Sequence, residues 1–98
     1  MNEFMVTINL PDDPTPEFFS IVPSHRARVN ELMQQGVVTG YSLSADRRIL
    51  WMTMMATDQE EIVKTLVTLP LYHCMRYTVQ ELMFHNSPVF STPRFSVN

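Results

Sequence analysis

The apolar pattern of the sequence predicts one small α+β domain whose elements follow the order β-α-β-β-α-β. Four runs of alternating or β-branched residues predict strands, and two stretches with apolar residues three and four positions apart predict helices. The chain has 98 residues, of which 45% are hydrophobic, and this is enough for one core but not for two.

The first strand is predicted from Phe4 to Leu10, where apolar side chains alternate with a second set that faces the other side of the sheet. The segment 11–14 ends this strand, because its prolines remove ladder donors and its aspartates favour turns. Thr15 can cap a helix, and Gly36 can adopt the left-handed conformation that ends one. We therefore predict the first helix over residues 16–35.

One face of this helix is apolar, and His25 lies on that face. The residues that form the stripe are Phe18, Val22, His25, Val29 and Leu32. Pro23 interrupts the pattern because it removes one backbone hydrogen bond and clashes with the preceding turn, so we expect a kink or a break near Ile21.

The second half of the chain predicts a hairpin, a short helix and a last strand. The hairpin strands are Val37–Ser44 and Ile49–Ala56, joined by four polar residues. A capping box formed by Thr57 and Glu60 predicts the second helix, which ends before Pro70. The run 72–85 predicts the fourth strand, with a bulge near residues 82–84 where the alternation fails.

Two right-handed β-α-β crossovers interlock as a four-stranded antiparallel sheet with both helices on one face, which is the ferredoxin-like fold. The other face carries Met5 and some of the methionines at 52, 54 and 55, so we expect a second sheet to pack on it and form a dimeric α+β barrel. We predict a single domain over residues 1–86 and assign residues 87–98 to an arm that packs on a neighbouring subunit.

Composition excludes several classes of function. The net charge of -3 and the scattered basic residues argue against nucleic-acid binding, and two glycines leave no phosphate-binding loop. No apolar run reaches the length of a membrane helix, and the first residues lack the pattern of a signal peptide. The single cysteine, Cys74, cannot form an internal disulfide, so we expect a cytoplasmic protein.

The segment Leu69-Pro70-Leu71-Tyr72, followed by Met75, Val79, Leu82 and His85, resembles the muconolactone isomerase family over about residues 3–86. The resemblance implies the ferredoxin-like fold, sheet-to-sheet dimers that assemble into rings, commonly decamers, no metal or organic cofactor, and a place in aromatic-compound catabolism. It also implies a reaction that moves a proton between two carbons of an unsaturated five-membered lactone carrying a carboxylate.

The resemblance implies charged groups at positions where this chain has others. A lysine of the first strand corresponds to Met5 or Asn9, an acid of the first helix to His25, and basic residues after the glycine to the segment ending at Gly40. We therefore expect most of the family's anion-binding surface to be missing and the substrate to differ.

His25 is the first candidate for a catalytic residue, because an imidazole with a pKa near 6.5 can take and return a proton at neutral pH. The alternative is a core or interface histidine bonded to a carbonyl. Candidates for substrate binding are Thr7, Tyr41 and Trp51, which can equally be packing residues, and Arg76, which can pair with a carboxylate or with another subunit. The three histidines lack the spacing of metal ligands, so we expect no metal site.

These candidates support three hypotheses. The first is a muconolactone-isomerase-like enzyme in which His25 carries the proton of a small, mostly apolar carbonyl compound. The second is a cofactor-free monooxygenase of the same barrel type, and the third is a non-catalytic oligomeric protein that binds a ligand. An open cavity beside His25 with Tyr41 or Trp51 at its wall would support ligand chemistry, whereas a sealed His25 would exclude the proton carrier.

Overall fold

The computed structural model describes residues 1–86 and contains the predicted order of elements. The elements are β1 (Asn2–Asn9), α1 (Pro16–Gln34), β2 (Val38–Leu43), β3 (Ile49–Ala56), α2 (Gln59–Leu66) and β4 (Arg76–Glu81). The four strands form one antiparallel sheet in the order β2-β3-β1-β4. The predicted ferredoxin-like α+β fold is therefore confirmed. The arm predicted for residues 87–98 lies outside the described residues.

The core lies between the two helices and one face of the sheet, which we call the helix side. Val6 faces Met52 on one neighbouring strand and Val79 on the other, and β1 contributes its most deeply buried side chains to this face. The predicted stripe of α1 packs on it through His25 and Val29, which are both buried. Burial of this apolar area is the main source of stability for such a small domain.

The other face of the sheet, which we call the open face, has no helix on it in the described part of the chain. Met5 and Met55 share this face with Trp51 and Thr7, which pair with each other across β1 and β3. Met52 and the even-numbered Met54 are buried in the core instead. Because side chains alternate along a strand, only Met55 of the three methionines in β3 could join Met5.

The sequence predicted a kink or a break of α1 near Ile21; the helix is continuous from Pro16 to Gln34, so there is no break. Thr15 caps the helix by accepting a hydrogen bond from the Phe18 amide at 3.2 Å, and Gly36 follows its end with a φ of 76°. Pro23 lies on the exposed side of the helix. There, water can satisfy the carbonyl group that loses its partner, and the helix tolerates the proline.

Two further boundaries differ from the prediction. Helix α2 is capped by Asp58, whose carboxylate accepts a hydrogen bond from the Glu61 amide at 2.9 Å, so the cap lies one residue beyond the predicted Thr57. Strand β4 begins at Arg76 because residues Tyr72–Cys74 form a turn of 3-10 helix. The register shift of the sheet lies in β2, between Val38 and Gly40, and not in β4 near residue 82.

None of the helices within residues 1–86 is long and apolar enough to cross a membrane.

Gly40 lies so close to β3 that a side chain there would disturb a buried threonine. A Cβ atom at Gly40 would be 2.6 Å from Thr53 Oγ1, and this hydroxyl lies 2.8 Å from the hydroxyl of Thr39. We expect Gly40→Ala to lower the free energy of unfolding by about 1–2 kcal/mol, because the methyl group displaces a buried polar group from its partner. Chemical denaturation of the variant and the wild-type protein measures this loss.

The Thr53→Ala background is the control, because only the Thr53 Cβ, at 3.8 Å, then remains near the added methyl group. Gly40→Ala should cost much less in that background. An equal cost in both backgrounds would show that the contact with the hydroxyl is not the cause.

Candidate functional site

A cavity of about 610 Å³ lies on the helix side, between the first half of α1 and the β2–β3 hairpin. Most of its wall is apolar and includes Phe18, Leu50 and Leu71. Its polar groups come from His25, Arg26, Tyr41 and Arg47.

His25 borders this cavity and is otherwise enclosed, with 4% of its surface exposed. Its Nδ1 atom accepts a hydrogen bond from the backbone amide of Leu71, over 3.3 Å. Burial lowers the pKa of the imidazole from its ordinary value of 6.5, because the charged form loses its hydration. His25 is therefore a neutral imidazole at neutral pH.

Two cations border the cavity and have no acidic partner within residues 1–86. Arg26 follows His25 on α1, and Arg47 lies at the tip of the hairpin. The ion pairs among the described residues join Arg28 to Glu31 and Arg48 to Asp12 instead. No aspartate or glutamate belongs to the described cavity wall. Such a lining favours a ligand with an apolar body and a negative charge.

Tyr41 completes the polar part of the wall. Burial raises the pKa of its hydroxyl, and the positive charge of Arg26 opposes this rise. The two residues are therefore close enough to interact electrostatically. At neutral pH the Tyr41 hydroxyl remains protonated, so it can donate a hydrogen bond to a ligand oxygen.

The sequence candidates fall on two sides of the sheet. Tyr41 pairs with Met52 and faces the helix side together with His25. Trp51 pairs with Thr7 on the open face, and Arg76 lies across from Asn9 at the end of the same face. None of the side chains of Thr7, Trp51 and Arg76 borders the large cavity. The large cavity thus brings together two of the five candidates, His25 and Tyr41.

A smaller hollow of about 190 Å³ lies on the open face. Met5, Trp51, Thr53 and His85 border it, and Tyr41 forms part of its rim. The hydroxyl of Thr39 lies at the same place and donates a hydrogen bond to Glu3 at 2.7 Å. This hollow is shallow and faces outward, so its shape depends on whatever covers the open face.

Sequence reasoning missed Arg26, Arg47 and the Leu71 amide as parts of the site. Arg26 could have been predicted, because it directly follows His25 in α1 and therefore lies at the edge of the apolar face. Arg47 had none, because a charged residue in a polar hairpin loop is usually solvated. A backbone amide leaves no trace in the side-chain pattern at all.

Within the range 1–86, no group of three or more histidine, cysteine, aspartate or glutamate side chains is placed to hold a metal ion. The polar groups that the cavity offers to a ligand are thus two guanidinium groups, an imidazole and a phenol.

Comparison with known proteins gives one family and one fold. A family model described as muconolactone delta-isomerase matches residues 3–88. A crystal structure of muconolactone isomerase at 3.3 Å resolution is similar to this chain, with a TM-score of 0.70 and 23% sequence identity. The similarity covers 91% of this chain and 96% of that chain, and at this identity it shows the fold. No curated protein matches the sequence.

Arg47 borders the cavity from a backbone conformation that side chains disfavour, with a φ of 65°. We expect Arg47→Gly to raise the free energy of unfolding by about 0.5–1 kcal/mol, because glycine has no Cβ to clash in the left-handed region. The same change should weaken the binding of a small organic anion such as benzoate about tenfold, because one cation is lost. Denaturation and titration calorimetry measure the two effects.

Arg48→Gly is the matched control, because Arg47 is the one non-glycine residue with positive φ in the described part of the chain. That variant should gain no stability and should bind benzoate as the wild-type protein does. If both variants bind equally well, Arg47 does not contribute to anion binding.

Proposed function

Because the chain belongs to the muconolactone delta-isomerase family, we propose that it moves a proton within a small unsaturated lactone, or a related carbonyl compound, bound in the helix-side cavity. The observation that carries this proposal is the placement of His25 at the wall of a cavity that also contains Arg26, Arg47 and Tyr41. The isomerisation shifts a carbon–carbon double bond and needs no cofactor.

The cavity supplies hydrogen-bond donors and positive charge, which such a reaction uses to stabilise its enolate and to bind a carboxylate. Negative charge develops on the carbonyl oxygen when a proton leaves the neighbouring carbon, and a placed hydrogen-bond donor stabilises it. His25 and Tyr41 are the donors that we propose for this oxygen, with His25 as the catalytic residue. A carboxylate on the substrate would lie near Arg26 or Arg47. Cavities of about 300–1,000 Å³ are typical of small-molecule sites.

The positive charges come from positions other than those that the family resemblance implied. The segment between Val37 and Gly40 carries no charge, whereas Arg26 and Arg47 lie on the helix and on the hairpin tip. The expected loss of the anion-binding surface is therefore offset by two arginines from elsewhere in the chain. This arrangement favours a substrate that is anionic but differs in shape from that of other family members.

A turnover assay with carboxylate-bearing butenolides and enol lactones tests the proposal. We expect the wild-type protein to shift the double bond, seen as a change in ultraviolet absorbance and in the NMR spectrum. His25→Ala should lower kcat/KM about 100-fold or more, because a group that stabilises the charged oxygen is lost. His73→Ala, which removes an exposed histidine, should leave the rate unchanged.

Turnover that survives in His25→Ala at the wild-type rate would exclude His25 as the catalytic residue. A wild-type protein that turns over no compound of the panel would contradict the isomerase proposal. Turnover that requires oxygen would instead support the cofactor-free monooxygenase of the same barrel type.

One observation favours a second candidate function, a protein that binds a ligand without converting it. The described cavity wall contains no carboxylate that could serve as a general base. Saturable binding of the lactones by calorimetry, together with no turnover under any condition, would support this candidate and exclude the first.

We further propose that the chain forms a homo-oligomer through its open face, with a dimer as the first step and a larger ring, such as a decamer, as its extension. Trp51 is 38% exposed in the middle of that face, beside half-buried Met5 and Met55. Burying such side chains against a second sheet removes apolar area from water and completes a dimeric α+β barrel. We place this assembly in the cytoplasm, and the single cysteine supports that location.

Trp51→Glu should convert the oligomer to monomers at micromolar concentration, because the new carboxylates would meet across the interface without partners. Sedimentation velocity measures the mass, and circular dichroism shows whether the variant folds. Val67→Glu is the control, since Val67 is 54% exposed just beyond α2 and lies away from the open face. Equal masses for Trp51→Glu and the wild-type protein would contradict the proposed interface.

A further inference from the structure

We propose that the backbone amide of Leu71 fixes His25 as the tautomer with its proton on Nε2, so that His25 acts as a neutral hydrogen-bond donor to the substrate. The part that concerns the substrate rests on the proposed function, whereas the tautomer is a property of the protein alone. This role differs from that of a proton carrier, which the sequence suggested for His25.

The hydrogen bond between Leu71 and His25 determines the tautomer. A backbone N–H group can only donate, so the Nδ1 atom that lies 3.3 Å from the Leu71 nitrogen has to present its lone pair. A neutral imidazole carries one proton, and that proton is therefore on Nε2. A proton on Nδ1 would place two N–H groups against each other in a buried site.

The Leu71 amide is held firmly enough to impose this choice. Leu69 and Leu71 are buried in the core, on either side of Pro70. The turn continues with hydrogen bonds from the Tyr72 amide to the Leu69 carbonyl, at 2.9 Å, and from the Cys74 amide to the Leu71 carbonyl, at 2.8 Å. The amide cannot rotate away from His25 without exposing two leucines.

The charges around His25 act in the same direction. The charged side chains that border the cavity are the cations Arg26 and Arg47, which cannot serve as partners for an imidazolium ion. Tyr41 is neutral, and no acidic side chain belongs to the cavity wall among the described residues. Burial lowers the pKa of His25 as well. A protonated His25 would also lose the Leu71 hydrogen bond, since both of its nitrogens would then be donors.

The Nε2–H group is what His25 can offer to a ligand. Among residues 1–86, the structure gives Nε2 no hydrogen-bond partner, while the ring borders the cavity. A donor at this position suits the carbonyl oxygen that gains negative charge as the enolate forms. The interaction is a hydrogen bond only, and the imidazole keeps its proton throughout. In this proposal a water molecule in the cavity takes the proton from the first carbon and returns it to the second, so the protein ends the reaction in its starting protonation state.

Asparagine and glutamine variants of His25 distinguish the role of Nδ1 from the role of Nε2. An asparagine oxygen can replace Nδ1 as the acceptor for Leu71, whereas a glutamine amide group can replace Nε2–H as the donor. We expect His25→Gln to keep kcat/KM within about tenfold of the wild-type value and His25→Asn to lose about 100-fold. The rate of the wild-type protein should show no acidic limb at the ordinary histidine pKa of 6.5, because burial lowers the pKa of His25 below that value.

Equal and large losses in both variants, together with an acidic limb in the wild-type profile, would overturn the donor role and make His25 a proton carrier. Circular dichroism on both variants shows that each is folded before the rates are compared.

NMR of protein labelled with nitrogen-15 at histidine tests the tautomer without any substrate. We expect His25 to show a pyridine-type Nδ1 signal and a pyrrole-type Nε2 signal, which remain unchanged as the pH is lowered from 8 to about 6. The spectrum of His25→Gln identifies the signals, and the exposed His73 and His85 remain as references. A pyrrole-type Nδ1 signal would overturn the proposal, whereas the expected tautomer without turnover would contradict only the proposed function.

Discussion

A single irregularity of the sheet decides which side chains of the hairpin face the cavity. Val38 pairs with Met54 on the helix side, but the register shift between Val38 and Gly40 places Tyr41 opposite Met52, on the same side again. In a regular strand, positions 38 and 41 would point in opposite directions. The shift is possible because Gly40 has no side chain where β2 approaches Thr53. Without it, Tyr41 would lie beside Trp51 on the open face and would be lost from the cavity.

The packing of α1 determines the rest of the site. Val29 and Leu32 fill the space between the second half of the helix and the sheet, and both are almost completely buried. Phe18 and Val22 lie on the same stripe but are only partly buried, so the first half of the helix leaves the cavity open. His25 lies at the boundary between the two halves. It is therefore held by the core on one side and faces the cavity on the other.

The sequence predicted the order of elements well, because apolar residues recur every two residues along a half-buried strand and every 3.6 residues along a half-buried helix. It failed where a tertiary contact overrides the local pattern. Pro23 has the local signal of a helix break, but its exposed position lowers the cost, because water can reach the carbonyl group that loses its partner. Tyr41 and Trp51 were candidates to line one pocket, but the register shift turns Tyr41 to the helix-side cavity and leaves Trp51 on the open face. Tyr41 reaches only the rim of the smaller hollow that Trp51 borders. His25 could be predicted because it lies on the apolar stripe of α1. The position of Arg47 at the cavity depends on how the hairpin tip packs near α1, and no local pattern shows that.

The polar groups of the cavity are consistent with one another only if the imidazole is neutral. The Leu71 amide disfavours an imidazolium ion because it can donate only to a ring nitrogen with a lone pair, and burial lowers the pKa of His25 as well. Arg26 opposes the rise that burial imposes on the pKa of Tyr41, and both arginines would attract an anion. A substrate that enters with a negative charge therefore meets groups that already have the right protonation. His25 and Tyr41 already carry the protons that they would donate to the carbonyl oxygen as it gains charge, which is the condition under which preorganised donors are most effective.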